Sequence, residues 1–176
     1  DGVAAAKLNR YLNILPNPRT RVMLVPDSEL VGMDAQLASY INANHINGAD
    51  GSPRYIATQG PNAQTVDHFW RMVWQENTSL IVMATECIEG MRIKCHQYWP
   101  DDMGAMNSIV TEPSEIEVTM INSRIVGPST ISTLRIDRGG ESRQVDHLQF
   151  LGWPDQGVPK HLKDVLSVIE IMRQHH

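Results

Sequence analysis

The stretch "AQTVDHFWRMVWQENTSLIVMATE" (Ala63–Glu86) decides how the rest of the chain is read. Val66, Phe69, Trp70, Val73 and Trp74 recur at intervals of three and four, which places them on one broad apolar stripe of a helix. Thr65 stands where a cap for that helix is expected. The two tryptophans read as core anchors. The apolar run between Ser79 and Glu86 then predicts a central strand buried on both faces. A helix followed at once by a buried strand seeds a sheet protein with helices packed on it.

Working outward, the amino-terminal side offers loops and short strands. "NRYLNILPNPRTRVML" (Asn9–Leu24) mixes both signals, and Pro16 and Pro18 forbid a regular helix there. "SYINANHI" (Ser39–Ile46) alternates weakly, as a short strand does, and "YIATQGP" is a second strand closed by Gly60 and Pro61. On the other side, "EIEVTMINSRI" (Glu115–Ile125) places Ile116, Val118 and Met120 on one face. "STISTLRID" and "VDHLQFLGW" are further strands, joined through "RGGES", a hairpin signal. The last helix carries Leu162, Val165, Leu166, Ile169 and Met172 on one side. "PDDMGAMNSIVTEPSE" is the loosest segment. The expected class is α/β in its α+β form, a highly twisted mixed sheet with helices on both sides.

Composition narrows the function classes. The chain has 176 residues, with 15 basic and 20 acidic ones, for a net charge of -5. That balance argues against a general nucleic-acid binder, because such binders neutralise many phosphates. No apolar run has the length of a membrane span. Cys87 and Cys95 are the only cysteines, which offers neither a disulfide framework nor a paired zinc spacing. A reducing, cytoplasmic setting is the simplest reading. No metal and no cofactor is expected.

"FLGWPDQGVP" (Phe150–Pro159) ends the last strand and turns sharply. Trp153 precedes Asp155 by two positions, Pro154 and Pro159 stiffen the exit, and Gly157 permits a bend. A closing loop that delivers a carboxylic acid to a leaving oxygen needs such a build.

At this point the segments, in their order and spacing, resemble the catalytic domain of phosphotyrosine-specific protein tyrosine phosphatases. The resemblance rests on "NRYLNILPNPRTRV", "YINANHINGADG", "YIATQGP", "TVDHFWRMVWQE", "LIVMATECIEG", "IKCHQYWP" and "WPDQGVP". It covers the chain from Leu8 to Pro159, and the last helix fits it too. "RYLNILPNP" and "VWQENTSLIVM" look closer to the subgroup that acts on mitogen-activated kinases. The resemblance implies roles. Tyr11 lines a slot for the phosphotyrosine ring, and Asn13 binds the substrate peptide's backbone. Glu89 orients the phosphate-binding arginine, and Lys94 contacts the general acid. Asp155 is that acid, carried on a loop hinged at Trp153 and Pro154. The implied partner is a phosphotyrosine-containing protein or peptide, with a mitogen-activated kinase as a specific case.

The nucleophile of this family is a cysteine in the pattern His-Cys, five residues, Arg. Neither cysteine fits it. Arg92 falls one position short of the required distance from Cys87, which follows Glu86 and not His. The position six beyond Cys95 is Asp101. Residues 1–176 therefore read as a partial phosphatase domain, incomplete at the C-terminus and inactive alone. The expected remainder is supplied by a continuation of the chain or by a separate chain. The alternative is a pseudophosphatase module that binds phosphotyrosine or a kinase without hydrolysis.

Overall fold

The computed structural model describes residues 6–26, 35–154 and 157–175. The chain packs as two compact units, Asp1–Glu76 with Thr111–Ser114, and Asn77–Val110 with Glu115–His176.

The first unit contains β1 (Arg21–Met23), α1 (Ala35–Ala38), β2 (Tyr40–Asn47), β3 (Pro53–Thr58) and α2 (Val66–Gln75). The strands form an antiparallel sheet in the order β1-β2-β3. The stripe on α2 does what its spacing predicts: Phe69, Trp70 and Val73 are buried, and Trp70 is 0 % exposed. Trp74 is only half-buried, at the margin of that stripe. Thr65 does occupy the cap position but makes no side-chain bond to the helix. Its hydroxyl instead accepts the Asn62 N–H at 3.0 Å, so it closes the preceding turn. The polar side of α2 is also buried. The Asp67 carboxylate accepts from the Ser114 hydroxyl and from the Ser114 N–H. One turn on, the Arg71 guanidinium donates to the carbonyls of Ala38 (3.0 Å) and Val25 (2.9 Å). Buried charges persist in a core when they are bonded in this way.

The second unit contains β4 (Leu80–Met83), β5 (Ile88–Glu89), β6 (Arg92–Ile93), β7 (Ile109–Val110), β8 (Glu117–Val126), β9 (Ser129–Arg138), β10 (Glu141–Phe150) and α3 (Leu162–Gln174). Five strands lie in the order β4-β10-β9-β8-β7. β4 runs parallel to β10 and the other pairings are antiparallel, so the sheet is mixed. The α+β class expected from the sequence is the class found. The β9–β10 hairpin closes through Gly139 (φ 57°) and Gly140 (φ 84°). Two successive left-handed residues match the twist of the flanking strands, and glycine takes that conformation without a Cβ clash. Ile116, Val118 and Met120 are all buried, as their alternation predicts.

Two expectations need correction. β4 is not a central strand in this sheet; among the described residues it is an end strand, paired with β10 alone. Ile81 and Met83 are buried, whereas Val82 is 37 % exposed. A short apolar run reports that a strand is apolar, not how many neighbours it has. The face of α3 is also offset from the predicted one. Val168 joins the core with Ile131, Leu148 and Phe150, while Ile171 and Met172 pack against that cluster. Leu162, Leu166 and Ile169 are exposed. This helix is apolar around most of its circumference, so periodicity alone does not select the buried face.

A polar contact selects it. His175, just past α3, meets the Asp146 carboxylate through Nε2 (2.9 Å) and the Ile171 carbonyl through Nδ1 (2.9 Å). Both partners are acceptors, so the two contacts are both hydrogen bonds only when both ring nitrogens carry protons, in the imidazolium form. The hydrogen bond to Asp146 holds the His175 pKa above its ordinary value. The sign follows. A raised folded pKa contributes stability that is fully present below about pH 6.5 and is lost as pH rises through the raised value. An NMR titration of the His175 ring is expected to give a midpoint above that of an unstructured histidine, and Asp146→Asn is expected to lower it. A midpoint unmoved by Asp146→Asn would remove the contact from this role.

Among the described residues no helix is long and apolar enough to cross a membrane.

Candidate functional site

In the first unit, the segment after Leu8 is fixed by polar side chains from β2 and from the end of β3. Asn9 is buried, and its Oδ1 accepts from Tyr40 Oη and from Asn42 Nδ2, each at 2.8 Å. The same Asn42 amide donates to the Ile14 carbonyl at 2.8 Å. Two residues along β2, Asn44 donates to the Asn17 carbonyl and accepts the Asn17 N–H. The guanidinium of Arg10 donates to the carbonyls of Gly60 (3.0 Å) and Pro61 (2.6 Å). Gln59 accepts the Arg10 N–H and donates to the Leu8 carbonyl, both at 2.9 Å.

These bonds explain the polar alternation of "NANH". In a strand, residues two apart share a face, so Asn42 and Asn44 serve the same loop. Between the anchors runs a tight turn in which the Ile14 N–H bonds the Tyr11 carbonyl (3.3 Å). Tyr11 is 49 % exposed, and Asn13 is exposed beside it. A rigid backbone thus presents an aromatic side chain toward solvent. The sequence reading names Tyr11 and Asn13 but not the residues that hold their turn. Asn9, Arg10, Asn42 and Gln59 have partners 28 to 51 positions away, which no local pattern reveals.

In the second unit, β5 and β6 form a hairpin with register Ile88↔Ile93 and Glu89↔Arg92. Gly90 at its tip has φ 59° and lets the chain reverse over two residues. The ladder continues as the Lys94 N–H bonds the Cys87 carbonyl at 2.8 Å. By the two-residue period, Glu89 and Arg92 share one face and Ile88 and Ile93 the other, with Lys94 just past β6. Glu89 is steadied by Thr85, whose hydroxyl donates to the carboxylate at 3.1 Å. The Thr85 carbonyl in turn accepts from Gln149 on β10 at 3.4 Å. Thr85 and Gln149 were not singled out from sequence, since nothing in their neighbours marks them.

β10 delivers the third segment. Phe150 is buried in the core, and its ring folds over Gly152, where a Cβ would come within 2.5 Å of the ring. Glycine is required there by the close approach. Trp153 follows at 44 % exposure, and Pro154 is exposed. Asp155 lies outside the described residues. Tyr11 and Asn13 belong to the first unit; Glu89, Lys94, Trp153 and Pro154 belong to the second.

The segment "HQYWP", which follows Cys95, has a packing role. Tyr98 and Trp99 close over His147 of β10, with the Trp99 and His147 rings stacked at 4.6 Å. The Tyr98 hydroxyl and His147 Nε2 share a hydrogen bond of 2.8 Å. Burial raises the Tyr98 pKa well above the usual tyrosine value and pushes His147 down to about 4. The pair is neutral and structural.

Known proteins resemble the chain along its length. The family profile described as protein-tyrosine phosphatase matches residues 5–176. The chain is 41% identical over 165 residues to the phosphatidylinositol phosphatase PTPRQ of Rattus norvegicus, covering 94% of this chain and 7% of that protein. It is 42% identical over 163 residues to the tyrosine-protein phosphatase non-receptor type 5 of Mus musculus, covering 92% of this chain and 28% of that protein. The solved structure of PTPN18 in complex with HER2 phosphopeptides superposes with a TM-score of 0.86 at 36% identity, over 97% of this chain and 60% of that one. The chain thus spans only a part of each relative's length, but the match runs along nearly all of its own. The chain belongs to the protein-tyrosine phosphatase family.

Proposed function

We propose that residues 1–176 are the amino-terminal part of a catalytic domain that hydrolyses phosphotyrosine in proteins. The observation that carries this reading is Tyr11, an exposed aromatic on a backbone clamped from both sides. An aromatic wall held rigidly makes a deep slot that suits an aryl phosphate and not a short alkyl one. Asn13 sits in the same turn, and this reading gives it the substrate peptide's backbone.

In this reading the chemistry has two steps. A cysteine thiolate, which these 176 residues do not place, attacks phosphorus while the bond to the tyrosyl oxygen breaks. Asp155 gives its proton to that oxygen as it leaves. Asp155 then takes a proton from the water that cleaves the cysteinyl phosphate. Glu89, steadied by Thr85, orients the arginine that binds the phosphoryl group, and Lys94 contacts Asp155 when the loop hinged at Trp153 and Pro154 closes. β4 runs parallel to β10 with its other edge unpaired among the described residues, and α3 follows β10. A strand after α3 would join that edge through a right-handed crossover and bring in the nucleophile loop. The exposed Leu162, Leu166 and Ile169 support further packing on α3. A mitogen-activated kinase is the finer proposal for the protein partner, on the likeness of "RYLNILPNP" and "VWQENTSLIVM" to the kinase-directed subgroup. The cytoplasm is the proposed location, on the reducing character of a chain with two unbridged cysteines.

Because one relative is named for phosphatidylinositol phosphate chemistry, the test compares substrates. The complete domain is assayed for phosphate release from a phosphotyrosine peptide, a phosphoserine peptide and phosphoinositide vesicles. Turnover is expected on the phosphotyrosine peptide, with Tyr11→Ala raising KM about tenfold or more through loss of a stacked aromatic contact. Release from the vesicles with none from the phosphotyrosine peptide would overturn the reading. Peptide binding without any turnover would make the domain a binding module.

A further inference from the structure

Cys87 and Cys95 stand against each other at the base of the β5–β6 hairpin. The Cys87 carbonyl accepts two N–H groups, from Lys94 at 2.8 Å and from Cys95 at 3.2 Å. Two residues of one strand opposing one residue of its partner is the arrangement of a β-bulge. Cys95 is therefore brought opposite Cys87 even though strict pairing from the tip would assign that place to Lys94 alone. A regular hydrogen-bonded antiparallel pair has Cα atoms about 5.5 Å apart, and a disulfide spans about 4.4–6.8 Å, so residues joined across the ladder at this bulge fall in a range that a disulfide can close. Burial raises the pKa of the Tyr98 hydroxyl, and Cys95 and Cys87 each add a smaller electrostatic push in the same direction. Both are thiols in this structure.

Their exposures differ in a useful way. Cys87 is half-buried, with its Sγ donating to Gln97 Oε1 at 3.5 Å. Cys95 is only 2 % exposed. A solvent oxidant reaches the first and not the second.

We propose that Cys87 and Cys95 form a redox-sensitive pair that a peroxide converts to an intramolecular disulfide. The Cys87 thiolate attacks one peroxide oxygen, the O–O bond breaks, and the second oxygen leaves as water after taking a proton; Cys87 is then a sulfenic acid. The Cys95 sulfur attacks the Cys87 sulfur, its proton goes to the departing hydroxyl, and a second water leaves. Two thiols and one hydrogen peroxide give one disulfide and two waters. The product staples the two strands that carry Glu89 and Lys94. The modification stands apart from the reading of those residues as site residues, because its readout needs no activity.

The sequence supplies a clean assay. Trypsin cuts after Arg71, Arg92, Lys94 and Arg124, so the two cysteines fall in separate peptides, 72–92 and 95–124. The native full chain is treated with hydrogen peroxide, its remaining thiols are alkylated, and it is digested without reductant. The expected product is these two peptides joined and separable by reductant. The yield is expected to exceed that of the chain in urea by about tenfold, because a short loop closes only transiently without the ladder. In Cys95→Ser the oxidation of Cys87 is expected to stop at the sulfenic acid, which a dimedone probe captures. In Cys87→Ser the buried Cys95 is expected to resist. Separate oxidation of each cysteine in the native wild-type chain, a cross-link between two copies of the chain instead, or an equal yield in urea would overturn the proposal.

Discussion

Replacing Asp155 with Ala in the complete domain is expected to lower kcat on a phosphotyrosine peptide by about 100- to 10,000-fold, roughly 3–5 kcal/mol of barrier. The phenolate that leaves has a conjugate-acid pKa of about 10, so its expulsion without a proton is costly. The proton is shared only in the transition state. The loss therefore falls on kcat, while KM stays near its wild-type value because the groups that this reading gives to substrate binding, Tyr11 and Asn13, are unchanged. An activated aryl phosphate, whose leaving group needs little protonation, is expected to show a much smaller loss. Steady-state kinetics on both substrates checks this. Equal rates for wild type and variant on the phosphotyrosine peptide would take Asp155 out of the role.

The second large effect is on stability in acid. His147 is 1 % exposed, and burial pushes its pKa down to about 4. The unfolded chain binds that proton near pH 6.5. A depressed folded value contributes stability that is present above about pH 6.5 and lost as pH falls toward the folded value. The full difference is on the order of 3 kcal/mol, a large part of the stability of a small domain. Wild type is expected to lose urea stability steeply between about pH 6.5 and pH 4, and His147→Phe is expected to flatten that slope whatever its stability at neutral pH. The trend opposes that of His175, which weakens toward alkaline pH. A wild-type slope unchanged in His147→Phe would show that carboxylates, and not this imidazole, set the acid limit.

The elements that the sequence made legible are those with strong local periodicity. The stripe on α2 and the two-glycine turn between β9 and β10 each carry their own instruction within a few residues. Topology does not. "LIVM" reads the same in the middle of a sheet and at its end, and only the pairing with β10, more than sixty positions later, decides. The apolar excess on α3 hides its orientation in the same way, until the contact of His175 with Asp146 is seen. The proposed site residues Tyr11, Asn13, Glu89, Lys94 and Asp155 rest on resemblance, because they sit in short recognisable segments. Their supports do not. Asn42 appears in the sequence as a poor strand residue, yet its amide donates both to Asn9 and to the Ile14 carbonyl. Thr85 looks like a strand terminus, yet it links Glu89 to the end of β10. A polar side chain announces a need for partners but not where they lie.

The most direct test of the account is the pH dependence of kcat on a phosphotyrosine peptide, for the complete domain with Asp155 and with Asp155→Ala. A general acid works while it holds its proton, so wild type is expected to show a basic limb on which the rate falls as Asp155 ionises, beside an acidic limb from the thiolate. In Asp155→Ala the basic limb is expected to vanish and the acidic limb to remain. A basic limb that persists unchanged in the variant would contradict the account, because the proton given to the tyrosyl oxygen would then come from another group.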